Sequence, residues 1–128
     1  MSVIDVSSDT WERDVVKSTV PVAVDFWHEQ CVWCRRLDPE YQALSEEFEG
    51  KVVFTKLNVL ESHENQQIGF QNGVMGTPTL KFYCGGRTVG ESVGYAPKVR
   101  LKAWIEDMLA NNRECLAQST PVRLSPYG

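Results

Sequence analysis

No stretch of this 128-residue chain stays apolar for long. The best candidate, Val20 to Trp27, is broken by Pro21 and Asp25 and falls far short of the roughly 20 residues that a membrane-spanning helix requires. An excess of positive charge is missing too: 13 Lys and Arg stand against 17 Asp and Glu, a net charge of −4. Such a balance offers no basic face for nucleic-acid phosphates. Neither a membrane nor a nucleic acid is therefore an expected partner. The opening stretch, "MSVIDVSSDTWERD", has no positively charged start, long apolar segment or small-residue cleavage site. It does not read as a secretory signal, and the expected location is cytoplasmic. Cysteine is scarce as well. Four in a chain of this size are too few for the disulfide framework of a small secreted protein, and in a reducing compartment a close pair points to redox catalysis or metal.

What is present suffices for one folded domain. Apolar residues make up 42% and charged residues 23%, the balance of an ordinary globular unit rather than of a disordered chain. A layered α/β domain of this length can bury a proper core. No internal repeat or low-complexity segment interrupts it.

Val3 to Val6 reads as a short strand, and Asp9, three residues before Glu12, has the spacing of a capping box that opens a helix. The β-branched and aromatic run "VPVAVDFW" predicts a buried central strand of a parallel sheet. From Cys31 onward Leu37, Tyr41, Leu44 and Phe48 recur at helical spacing, Pro39 predicts a kink, and Gly50 closes the run. "KVVFTKLNVL" predicts another strand, "ESHENQQIGFQNG" a short helix, and "TPTLKFYC" with "RTVGESVG" a hairpin turned by Gly85 and Gly86. A last helix opens at Pro97 and aligns Leu101, Trp104, Ile105, Met108 and Leu109. The order βαβαβαββα implies an α/β fold, a mixed sheet with helices on both faces. Residues 1–112 form the expected domain, and 113–128, with two prolines and no sustained period, an expected loosely held tail.

The stretch "EQCVWCRRLDPEY" places Cys31 and Cys34 where the buried strand gives way to the helix. Unpaired amides at a helix start favour a thiolate at Cys31, and Cys34, one turn further in, stands where it can resolve a mixed disulfide. Asp25 interrupts an apolar strand six residues before Cys31. Burial there raises a carboxyl's pKa, and an acid poised near neutrality beneath the thiols can take the proton from Cys34. From the residue alone, a hydrogen-bonded structural Asp is an equal alternative. Thr77-Pro78 after Gly76 is a context for a cis bond, with a strand edge that can pair with an extended substrate segment through Thr77. The plain alternative is a trans proline that starts a strand.

In order and spacing, these motifs resemble the thioredoxin family over nearly all of Val3 to Asn112. "VDFW" is similar to the family's second strand with its buried acid at Asp25, and Pro39 falls where the family kinks its active-site helix. "TKLNV" supplies Lys56 at the position of the family's buried lysine, and "GVMGTPTL" resembles its cis-proline loop. Gly94 resembles the glycine that lets substrate approach the disulfide. The resemblance implies a thioredoxin fold of three α/β/α layers, with a five-stranded mixed sheet and four helices. It implies a thiol-disulfide oxidoreductase that reduces protein disulfides, with Cys31 as nucleophile, Cys34 as resolving thiol, Asp25 with Lys56 as the proton-handling pair and Pro78 on the substrate side. The implied partners are protein disulfides and a thioredoxin reductase-type electron donor. The protein is then a monomer, with no cofactor beyond its own redox-active disulfide and no metal.

Gln30 stands where most thioredoxins have Trp, and Val32-Trp33 where they have Gly-Pro. The intervening dipeptide bears on reduction potential, each ~30 mV being worth about 1.4 kcal/mol for a two-electron couple. Trp33 at the rim is a candidate partner contact beside Thr77, Pro78 and Gly94; its plain alternative is a ring folded onto the helix. Arg35 and Arg36 read as solvated helix charges and His28 as an ordinary loop side chain. Cys84 and Cys115 form no second C-x-x-C and read as exposed bystanders. Three other readings stay open: a binding module or chaperone without turnover, a specialised oxidant or isomerase, and metal binding. The intact C-x-x-C argues against the first, and the last lacks the paired ligands of a structural zinc site.

Overall fold

The structure, a computed structural model, describes residues 3–113. Strands β1 (Val3–Val6), β2 (Val22–Trp27), β3 (Val53–Asn58), β4 (Thr79–Cys84) and β5 (Arg87–Val93) form one sheet in the order β1-β3-β2-β4-β5. The first three lie parallel, β4 runs antiparallel to its neighbour β2, and β5 runs antiparallel to β4. Helices α1 (Val32–Glu47), α2 (His63–Gln71) and α3 (Lys98–Asn111) join a π-helical segment at Glu12–Val16 to cover the sheet. This is the expected mixed five-stranded sheet with four helical segments. Apart from residue 113, the tail expected over 113–128 lies outside the described residues.

Period-two alternation decides which face of β2 carries chemistry. Val22, Val24 and Phe26 join Val15, Leu57 and Val74 in one core cluster, beneath α2 and the π-helical segment. Ala23 points the other way, into a second cluster with Leu37, Tyr41 and Leu44 of α1 and Leu101 and Ile105 of α3. Asp25, two residues after Ala23, therefore belongs to the α1 face.

Two local expectations are corrected. The segment after β1 has no capping box: its helix begins at Glu12 with Trp11 as N-cap and no side-chain cap. Thr10 turns back on Ser7 instead, its Oγ1 accepting from the Ser7 N–H at 3.0 Å, so a local turn supplants the box. Cys84 is not an exposed bystander, because β4 is buried along its whole length and Cys84 is 2% exposed. Nor is it a free thiol.

The β4–β5 turn shows why a glycine is needed. Gly86 has φ +82°, and a Cβ there would lie 2.7 Å from the Val16 carbonyl oxygen. Gly86→Ala is expected to destabilise the fold by about 2 kcal/mol or more, combining left-handed backbone strain with a backbone clash. Urea unfolding of the two proteins measures it.

Candidate active site

Helix α1 is fastened across the sheet by a buried phenol. The Tyr41 hydroxyl lies 2.7 Å from the Thr55 carbonyl and 3.1 Å from that of Ala23, bridging β3 and β2. That tie sets the N-terminal turn of α1 over the C-terminal end of β2. Cys31 is the N-cap, with extended backbone, and its Sγ accepts from the Cys34 N–H at 3.1 Å. The two cysteines are joined in a disulfide with Cα atoms 5.2 Å apart. Cys31 is the more exposed, 9% against 3% for Cys34. No acidic residue lies in the first turn of α1, so nothing there opposes the positive end of the helix dipole at Cys31. Two contacts hold the loop before it: the Cys31 N–H donates to the His28 carbonyl at 3.3 Å, and Arg35 Nη1 to the Glu29 carbonyl at 2.9 Å.

Beneath Cys34 is a cavity lined by Asp25, Trp27, Cys34, Arg35, Asp38 and Lys56. Asp25 is 2% exposed, and its Oδ1 has no hydrogen-bond partner among the described residues. Burial pushes its carboxyl up to about 7, with the Lys56 ammonium opposing and the Asp38 carboxylate reinforcing that rise. Lys56 is the direct β3 partner of Asp25 in the sheet. Its Nζ, however, donates to Asp38 Oδ1 at 3.3 Å and lies 4.4 Å from the centroid of the Trp27 ring.

A groove on the other flank is lined by Trp33, Thr77, Pro78, Gly94 and Tyr95. The Thr77–Pro78 bond is cis. Gly94 has φ +85°, donates its N–H to the Pro78 carbonyl at 2.8 Å, and has no atom within 4 Å of where a Cβ would stand. Its missing side chain keeps the groove open. Trp33 is 53% exposed but not isolated: its ring lies 5.8 Å from that of Tyr95, and the Arg36 guanidinium sits 5.2 Å above it. Tyr95 in turn bonds Glu40 through its hydroxyl.

All eight residues singled out from the sequence thus border the disulfide, the cavity below it or the groove beside it. Asp38, Trp27 and Tyr95 line the same spaces and were not anticipated. Asp38 follows Cys34 by four residues, the spacing that puts two side chains on one helix face, but that spacing does not reveal its partner Lys56, 18 residues away.

A disulfide capping a helix, above a buried acid and beside an open groove, defines a dithiol-disulfide redox protein. The family model described as Thioredoxin matches residues 2–107. A thioredoxin from Streptomyces clavuligerus is 42% identical over 97 residues, covering 76% of this chain and 87% of its own. Thioredoxin 1 of a Nostoc strain is 36% identical over 104 residues, covering 81% of this chain and 94% of its own. The thioredoxin of a Synechocystis strain is 38% identical over the same length, with the same coverage. The chain belongs to the thioredoxin family. It is a thiol-disulfide oxidoreductase that reduces protein disulfides through its Cys31–Cys34 pair.

Proposed function

We propose that Cys31 is the attacking thiol and that Asp25 handles the proton of Cys34. The Cys31 thiolate attacks one sulfur of a substrate disulfide, and the other sulfur leaves as a thiolate that takes a proton from solvent. Cys34 gives its proton to the Asp25 carboxylate, directly or through water, and attacks Cys31 Sγ. The second substrate thiolate leaves, and the pair ends as the Cys31–Cys34 disulfide, two electrons having passed to the substrate. A thioredoxin reductase-type donor returns them. The observation that carries this reading is the position of the pair: Cys31 caps α1 and is the more exposed, while Cys34 borders the cavity that holds Asp25.

Lys56 balances charge in that cavity. Thr77, Pro78 and Gly94 present the edge along which an extended substrate segment lies, and Trp33 with Tyr95 forms its aromatic wall. The Val32-Trp33 dipeptide bears on potential and partner choice rather than on the chemistry. The protein acts as a monomer in the cytoplasm, feeding electrons to protein disulfides with no resident cofactor. No helix among the described residues is long and apolar enough to cross a membrane.

The direction of electron flow is tested by the reduction potential of the Cys31–Cys34 couple against glutathione. A reductase is expected near roughly −270 mV, the general value for thioredoxins, with reduction of insulin disulfides by the dithiol form. A potential near about −120 to −180 mV overturns the reductase direction. Absence of insulin reduction, with partner binding unchanged in Cys31→Ser, leaves a binding module instead.

A further inference from the structure

Asp25 and Lys56 are direct partners in the β2–β3 register, yet the ammonium does not close on the buried acid. Lys56 Nζ bonds Asp38 at 3.3 Å and rests over Trp27, while Asp25 Oδ1 is left without a hydrogen-bond partner among the described residues. Asp38 reaches this place because it lies one turn after Cys34 on α1. Its side chain is 43% exposed, which puts it at the mouth of the cavity, with Asp25 and Cys34 deeper in. With the Asp38 end open to solvent and screened by it, the pair adds little to stability. Where it puts the lysine is what matters.

We propose that Asp38 is a positioning residue for the proton transfer: by holding Lys56 at the mouth of the cavity, it prevents the ammonium from pairing with Asp25 and so preserves Asp25 as an effective base for Cys34. The inference rests on Asp25 being that base. An ammonium seated against Asp25 stabilises its ionised form and makes it a poorer proton acceptor, because a base well below the working pH has little affinity for the proton it must take. With Lys56 drawn outward, burial dominates, and the negative charge of Asp38 acts in the same sense. The other groups around Asp25 do not supply this adjustment. From α1, Arg35 has its guanidinium tied to the Glu29 carbonyl, and the Tyr41 phenol is pushed well above its ordinary value by burial. Cys34 is the group to be deprotonated. From β4, the register partner of Asp25 is the uncharged Leu80, and Trp27 is the neighbour on its own strand face.

The test follows release of the second substrate thiol in single-turnover reactions of the full-length dithiol protein, from about pH 5 to about pH 9. The wild type is expected to lose rate on the acid side as Asp25 takes up its proton. Asp38→Asn should move that acid limb to lower pH by about half a unit or more, since its lysine is then free to turn toward Asp25. Asp38→Glu, which can still reach Lys56, should keep the wild-type limb. In a Lys56→Met background the shift caused by Asp38→Asn should shrink by at least about half, the contribution through the lysine being gone. An unmoved limb in Asp38→Asn overturns the proposal, and so does an equal shift in both backgrounds, which means that Asp38 acts by its own charge alone. If the limb survives in Asp25→Asn, the base assignment itself fails, a result distinct from either of these.

Discussion

Asp25→Asn is expected to stabilise the oxidised protein by about 4 kcal/mol near pH 8 and by almost nothing near pH 4. The carboxyl is pushed up to about 7 from an ordinary value of 3.8, chiefly by burial. Between those values the folded protein holds a proton that the unfolded chain has released. Folding stability is therefore fully present below the lower value and is lost as pH rises through the upper one. An asparagine has no charge to desolvate and escapes that loss. The same substitution should slow resolution of the mixed disulfide on the order of tenfold to a hundredfold near pH 7, because a general base has been removed. Denaturant titrations of both proteins at the two pH values, paired with single-turnover kinetics, measure the two effects. A stability difference that does not change with pH would show that Asp25 is not desolvated as described.

Cys31→Ser is expected to bring disulfide reduction down to background, whereas Cys34→Ser should keep the first attack and stop at the mixed disulfide. The asymmetry follows from position. Cys31 caps α1, faces no acidic residue in the first turn and is the more exposed sulfur. A serine hydroxyl there has neither the acidity nor the nucleophilicity of a thiol. Cys34 borders the cavity that holds Asp25, and its loss leaves nothing in place to displace the substrate from Cys31. Steady-state insulin reduction and a rapid-quench measurement of the first step separate the two variants. Equal loss of the first step in both would contradict the division of roles.

Much of this site is visible in one dimension. A charged residue inside "VAVDFW" stands out because a central strand tolerates few polar side chains, and the alternation of β2 then assigns Asp25 to the face of Ala23. The cysteine pair at the strand-helix junction and the proline after Gly76 are similarly local. Asp38 is not. On α1 it sits among Arg35, Arg36 and Glu40, where an acid looks like one more solvated charge, and only the crossing of α1 over β2 and β3 brings it to Lys56. The same limit governs Cys84. Its neighbours Gly85 and Gly86 suggest an exposed turn, but pairing with β2 on one side and β5 on the other encloses β4. At Asp9 and Glu12 a correct capping-box spacing went unused because Ser7 and Thr10 close a turn first. Spacing describes what a segment can do, and long-range packing selects which option it takes.

The central claim, that Cys31 is the attacking thiol of a couple resolved by Cys34, is tested most directly by trapping. Reduced Cys34→Ser is mixed with a disulfide substrate, quenched with acid, digested and mapped by mass spectrometry. The predicted result is one substrate molecule per chain, disulfide-bonded to Cys31. A stable adduct on Cys84 or Cys115 in place of Cys31, or no adduct at all, would contradict the account.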